Sequence, residues 1–357
     1  MHLSKTNLFS AEAKNQFNLF VIFLIFTLLI SGCAEKTYKM VYPTLSDGKY
    51  DSEFPYKNCS GQLEEISKSV KKINSLVFYK TNYLSVESKI QKKNLTPDTL
   101  ENNTIRTDAT NESVSGTATV IFYDKQRIAL LTCAHIIDFP DTIISYFENN
   151  NQTDKYIQSI SIKLKQQNFV QGIPKGENLE ILAMDIKNDL AILGKTVDQT
   201  FEQVSVFSYP IGKSKKLEWG NFVYIIGYPL GFQMITRGIV SNPDKIKSGS
   251  FLIDAVFNKG FSGGIVLAIK DGVPNFELVG IAKSASANYE NYLKPSKDSH
   301  EFLYNPNTPY KGETFVHLRK NINYGVTYSI STETLYIFYN KFKKPLLDKG
   351  YNLDDFF

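Results

Sequence analysis

Three short patterns hold residue types that together could do nucleophilic chemistry. Leu131-Thr132-Cys133-Ala134-His135 ends an apolar run, and Asn188-Asp189 precedes Leu190-Ala191-Ile192-Leu193. The third, Gly260-Phe261-Ser262-Gly263-Gly264, is a glycine-rich turn. A serine hydroxyl is a poor nucleophile until a neighbouring base accepts its proton. An imidazole can take that proton near neutral pH and return it to a leaving group. A carboxylate can fix the imidazole tautomer and stabilise the imidazolium that forms. Taken singly the patterns say little. A histidine after an apolar strand is often only packed, an Asp before one is often a cap or turn residue, and the glycine run could be a flexible turn. Asp185, four residues before Asp189, is a competing carboxylate.

Such residues need rigid elements to hold them, and the chain supplies short strands. Thr117–Tyr123 and Arg127–Thr132 flank Asp124-Lys125-Gln126 in a hairpin pattern. Leu76–Tyr83, Tyr156–Leu164, Leu179–Met184, Leu190–Leu193, Phe222–Ile226, Gln233–Val240, Ser250–Val256, Ile265–Ile269, Phe276–Ala282 and Tyr324–Ile330 read as further strands. Strands at this spacing without helical periods between them imply an all-β sandwich or barrel, and closure would leave no long sheet edge exposed. A helical pattern starts at Ser60, with Leu63, Ile66, Val70 and Ile73 on one face. A second, short C-terminal helix is capped by Ser331 or Thr332, runs through Leu335, Phe338 and Phe342, and is expected to stop at Pro345. Asn94–Ser113 is almost entirely polar and reads as a long exposed loop.

The three patterns, in the order His, Asp, Ser on a β-rich chain, resemble the trypsin-like serine proteases, and more closely their HtrA/Deg branch. Gly227-Tyr228-Pro229-Leu230-Gly231 leading to Arg237-Gly238-Ile239-Val240-Ser241 adds to the resemblance. So do Ile253-Asp254-Ala255-Val256 before the serine and Leu278-Val279-Gly280-Ile281 after it. The likeness spans roughly residues 62–340. It implies a trypsin-like double six-stranded β-barrel, with His135 and Asp189 on the first barrel and Ser262 on the second. It favours Asp189 over Asp185, because Asp189 abuts Leu-Ala-Ile-Leu as in the family motif. The implied roles are His135 as base, Asp189 as its orienting carboxylate and Ser262 as nucleophile. The amides of Gly260 and Ser262 would form the oxyanion hole, where one lost donor typically costs a few kcal/mol. The pocket base falls near Val256, with no Asp there, so an apolar pocket for aliphatic or small residues is expected.

Two departures from the family bear on whether the cleft is open. Phe261 stands where Asn or Asp commonly precedes the serine, and as a bulky exposed aromatic it would reshape the leaving-group side. A long polar insertion, Asn288–Asn323, borders the cleft as a lid, a platform or a solvated loop. These motivate the alternative to a serine endopeptidase: a catalytically inactive trypsin-like lipoprotein that binds peptides or protein partners. A PDZ domain, usual in the HtrA branch, is not expected.

The N-terminus addresses location. Lys5 and Lys14 precede an apolar run from Phe17 to Ile30, followed by Ser31, Gly32 and Cys33. The run is shorter than the roughly 20 residues that cross a bilayer core, and reads as a signal peptide. Ile30-Ser31-Gly32-Cys33 resembles a bacterial lipobox, which implies cleavage before Cys33, lipidation of its sulfur, and a membrane anchor in the cell envelope. Ala34 gives a weak preference for the outer membrane. The expected division is a signal peptide over 1–32, a tether over 33–59, the protease domain over 60–345 and a tail over 346–357.

Composition closes off other classes. The net charge of +4 is mixed along the chain rather than gathered in a stripe, so no nucleic-acid partner is indicated. With 42% hydrophobic residues the chain can bury a sizeable core. His2, His135, His300 and His317 have no ligand spacing with the cysteines, so neither metal nor other cofactor is expected, and the substrates would be proteins or peptides. With Cys33 lipidated, Cys59 and Cys133 are left either to pair or to stay as thiols.

Overall fold

The computed structural model describes residues 46–124, 126–147, 155–173, 178–197, 204–243, 249–295, 307 and 314–357. The expected signal peptide over 1–32 and Cys33 lie outside the described residues, as do His300 and most of the stretch between residues 296 and 313. Among the described residues no helix is long and apolar enough to cross a membrane.

Two β-systems face each other, giving the mostly-β trypsin-like fold. The N-terminal one is a curled seven-stranded sheet. Its strands are β1 (Val70–Leu84), β2 (Thr104–Tyr123), β3 (Arg127–Thr132), β4 (Thr142–Tyr146), β5 (Ile157–Val170), β6 (Glu180–Asp185) and β7 (Leu190–Thr196). Their order across the sheet is β4-β5-β1-β2-β3-β7-β6. The C-terminal one is a closed barrel, ordered β10-β13-β12-β11-β8-β9. It is made of β8 (Phe222–Gly227), β9 (Met234–Asn242), β10 (Ser250–Ile253), β11 (Ile265–Ile269), β12 (Phe276–Pro295) and β13 (Thr314–Ser331).

Three α-helices complete the described chain: α1 (Ser60–Ser67), α2 (Pro97–Asn103) and α3 (Thr332–Asp348). α1 is shorter than its pattern suggested. Leu63 and Ile66 are buried from the helix, whereas Val70 and Ile73 are buried from β1. The apolar spacing was shared by two elements and belonged to neither period alone.

The polar stretch Asn94–Ser113 is not a loop. Thr96 caps α2 with its side chain, Pro97 occupies the first turn, and β2 then pairs with β1 from Thr104↔Leu84 to Thr119↔Val70. Most of the first half of β2 faces water, so its composition is that of an exposed ribbon; burial begins at Gly116. Thr81 Oγ1 meets Thr110 Oγ1 at 2.9 Å across the pair. Such cross-strand contacts stabilise a solvated ribbon that has no apolar alternation to betray it.

Part of the polar insertion is a strand pair. β12 and β13 continue beyond the barrel as a paired ribbon, from Ala287↔Ile322 to Pro295↔Thr314. Helix α3 passes Pro345 and ends at Asp348. Leu346 and the following Tyr351 and Leu353 are buried with the N-terminal core, and the Tyr339 and Phe357 rings stack at 4.2 Å. The chain before α1 is also fixed in part: Tyr50 bridges to Lys270, and the Asp51 amide donates to the Ile269 carbonyl at 2.9 Å. Cys59 and Cys133 are both buried free thiols.

Candidate active site

His135 lies in a single 3-10 turn, Ala134–Ile136, at the end of β3. The apolar residues of β3 and the buried Ile136 pin that turn to the core, leaving the imidazole side chain 43% exposed. Asp189 ends the tight turn between β6 and β7 with φ +58°, a left-handed conformation that Asp tolerates better than most residues. Its carboxylate, only 8% exposed, accepts from the His135 backbone N–H at 2.9 Å. The His135 ring Nδ1 lies 3.0 and 2.9 Å from the two Asp189 oxygens. An ionised carboxylate only accepts, so Nδ1 carries the proton and Nε2 is left as the basic nitrogen.

Asp185, the competing carboxylate, is committed elsewhere. It accepts from the Asn188 amide at 3.1 Å to close the β6–β7 turn and pairs with Lys341 of α3 at 3.0 Å. Burial works against its charge, but the hydrogen bonds from Lys341 and Asn188 hold its pKa below the ordinary carboxylate value.

Ser262 sits on the loop between β10 and β11, and that loop is clamped to β2. Thr117 N–H donates to the Ser262 carbonyl at 2.8 Å, and Thr117 Oγ1 donates to the Gly260 carbonyl at 2.7 Å. The same hydroxyl accepts from Tyr228 N–H at 2.9 Å, and Thr132 Oγ1 donates to the Thr117 carbonyl at 2.7 Å. Two glycines make this approach possible. A Cβ on Gly263, whose φ is +82°, would lie 2.1 Å from the Thr117 carbonyl oxygen. One on Gly116 would lie 2.4 Å from Ile136 Cδ1 and 3.1 Å from the Ser262 carbonyl oxygen, so the histidine turn and the serine loop meet there.

The Ser262 hydroxyl donates to the Lys283 carbonyl at 2.9 Å; no hydrogen bond joins it to His135 among the described residues. Lys283 lies on β12, and its Nζ is 3.9 Å from Asp189 Oδ2. Lys283 therefore touches both the serine and the aspartate. Neither Lys283 nor Thr117 was singled out from the sequence for a role. Thr117 opens the expected strand Thr117–Tyr123, and Lys283 is visible only as a charge ending the apolar Leu278–Ala282 run.

Gly260 has φ +111°, and a Cβ there would lie 2.3 Å from the Tyr228 carbonyl oxygen. The amides of Gly260 and Ser262 meet no protein acceptor among the described residues. Val256 is 53% exposed. Phe261 departs from expectation. It is 1% exposed, packed in the C-terminal barrel beside Phe257 at 5.9 Å between ring centroids. The left-handed glycine before it turns the backbone so that its side chain enters the core, and it takes no part in obstructing the cleft.

Cys133 Sγ, a His135 ring nitrogen and an Asp189 oxygen lie within 4.8 Å of one another. Burial raises the Cys133 thiol pKa well above the ordinary value and the Asp189 charge adds to this, against smaller opposing effects of Gly263 and Lys283. Nδ1 is engaged by Asp189, and the thiol donates to the Ala282 carbonyl at 3.6 Å.

Residues 116–281 match the family model of the trypsin-like peptidase domain, a span that includes His135, Asp189 and Ser262. No curated protein matches the chain.

Proposed function

We propose that this chain is a serine endopeptidase that cleaves proteins or peptides through an acyl-enzyme. The observation that supports this most is the double hold of Asp189 on His135, through the backbone N–H and Nδ1, with Lys283 linking that carboxylate to Ser262. His135 Nε2 is the base. Rotation of Ser262 about its Cα–Cβ bond moves the hydroxyl from the Lys283 carbonyl to that nitrogen. The Ser262 oxygen then attacks the scissile carbonyl, its proton passes to His135 and on to the leaving amine, and water releases the acyl group by the reverse sequence. The Gly260 and Ser262 amides receive the oxyanion. Val256 forms the base of an apolar pocket, and a peptide-library profile dominated by Lys or Arg before the cut would contradict that assignment.

In the same reading residues 1–32 are removed and Cys33 carries lipid, placing an HtrA/Deg-like domain at the bacterial envelope. Mass spectrometry of the cell-derived N-terminal peptide checks this: a diacylglyceryl-modified Cys33 supports it, and an unmodified Cys33 refutes it. Activity is tested by incubating the full chain with an unfolded protein such as casein. Cleavage by wild type and not by Ser262→Ala is expected. The second reading, an inactive peptide binder, rests on the resting contact of Ser262 with Lys283; retained casein binding without cleavage would favour it.

A further inference from the structure

Strand β12 leaves the barrel at the nucleophile. The Ser262 hydroxyl donates to the Lys283 carbonyl at 2.9 Å, and the Gly263 N–H donates to the Ala282 carbonyl at 2.8 Å. Pairing of β12 with β11 ends at Ile281↔Ile265, whereas pairing with β13 runs on to Pro295↔Thr314. Among the described residues, β13 is therefore the sole strand partner of β12 from Lys283 onward, and the other edge is open. At about 3.3 Å per residue that edge is about 40 Å long. Two register shifts, between Ala282 and Ser284 and between Ala285 and Ala287, separate the barrel part from the projecting ribbon.

The ribbon is sided. Its register sets Leu293 opposite Val316 and Asn291 opposite Leu318, with Tyr289 on the same face. Tyr289, Leu293, Val316 and Leu318 are 61–68% exposed. Glu290, Lys294, Arg319 and Phe315 belong to the opposite face. Open strand edges are usually blunted or covered, and contiguous exposed apolar groups mark interaction surfaces. Both features occur here on one strand, continuous with the segment that touches Ser262.

We propose that the open edge of β12 beyond the barrel, Ala287–Pro295, docks an extended segment of the polypeptide substrate as an added strand. Main-chain hydrogen bonds give such docking its affinity whatever the sequence, and alternate side chains give it preference. Tyr289 and Leu293, backed by Val316 and Leu318, receive apolar side chains at alternate positions of the segment. A folded protein has no free strand to offer, so the substrate class is unfolded polypeptide rich in apolar residues. The continuity of the edge with the Ser262 loop is what commits the surface to substrate. This deepens the endopeptidase reading and rests on it for the word substrate, but capture of the polypeptide needs no turnover.

The test uses the full chain carrying Ser262→Ala, so that nothing is cut. The probe is fluorescein-labelled lactalbumin, reduced and carboxymethylated so that it cannot refold, and anisotropy gives Kd. Saturable binding is expected, with native lactalbumin a poor competitor. Adding Tyr289→Thr and Leu293→Thr keeps strand-forming residues but removes the apolar face, and should weaken Kd about tenfold. Phe315→Thr, on the opposite face, should keep the starting Kd. Near-UV circular dichroism checks folding, and Leu293→Thr alone repeats the measurement should the double variant not fold. No binding, an unchanged Kd in the folded ribbon variants, an equal loss in Phe315→Thr, or equal competition by native lactalbumin each overturns the proposal. Ribbon variants that keep lactalbumin capture but no longer sediment with phosphatidylcholine–phosphatidylglycerol vesicles overturn it in favour of a membrane surface. Capture of lactalbumin by a chain that leaves casein uncut with Ser262 in place would sink the endopeptidase reading while the docking edge stands.

Discussion

The two β-systems hold their catalytic candidates by different means. On the curled N-terminal sheet, His135 and Asp189 are joined directly, backbone and side chain, within one lobe. On the closed barrel, Ser262 is located by contacts from outside its own loop: Thr117 of the other lobe and Lys283 of β12. The base pair is thus a local property of one turn and one 3-10 segment, and the nucleophile's position is a property of the lobe interface. Damage at Thr117 should therefore disturb Ser262 while sparing the His135–Asp189 pair. Damage at Asp189 should do the reverse.

The largest effect is expected within the pair. Asp189→Asn should lower the rate of labelling or hydrolysis about 10³–10⁴-fold, because the amide favours the wrong imidazole tautomer; pseudo-first-order kinetics with the full chain measure it. Next comes the barrel core behind the serine. Phe261→Ala should lower unfolding stability by about 3–5 kcal/mol, as a cavity replaces a buried ring. Denaturant titration checks it, and a change below about 0.5 kcal/mol would mean that the ring is exposed after all.

Thr117→Val tests the interface itself. It leaves the Tyr228 N–H and the Gly260 carbonyl without their side-chain partner, a loss of about 2–4 kcal/mol by the same titration. Labelling should fall while the His135 titration stays in place; a shifted titration would erase the distinction between the lobes.

The smallest effect concerns the chain that precedes α1. The buried Asp51 carboxyl, which accepts from Gly272 N–H at 3.1 Å, has its pKa pushed up to about 6, chiefly by burial. A pKa raised in the folded state favours folding below the unfolded value of 3.8, and this contribution is lost as pH rises through about 6. Asp51→Asn should then raise stability at pH 8 by about 1–3 kcal/mol and change little at pH 4. Equal effects at both pH values would contradict a titrating Asp51.

Legibility in the sequence followed burial. Strands such as Arg127–Thr132 and Ile265–Ile269 were readable because they are almost wholly buried and so apolar. The ribbon at Thr104–Asn111 reads as a loop in sequence because much of it faces water, where threonine and asparagine suit a strand as well as a loop. His135, Asp189 and Ser262 were found through the residues that frame them, and the structure brings the first two into contact and Ser262 beside them through Lys283. Phe261 was read as exposed because sequence carries no sign of side-chain direction after a left-handed glycine. Thr117 and Lys283 act through contacts some 145 and 94 residues distant in the chain, at Ser262 and Asp189. No local pattern encodes such pairings.

The most direct test of the central assignment is covalent labelling of the full chain by a fluorophosphonate probe, followed by peptide mapping. Wild type should carry a single adduct on Ser262, and folded Ser262→Ala and His135→Ala should carry none. A folded wild type that stays unlabelled, or an adduct on another residue, would contradict the assignment.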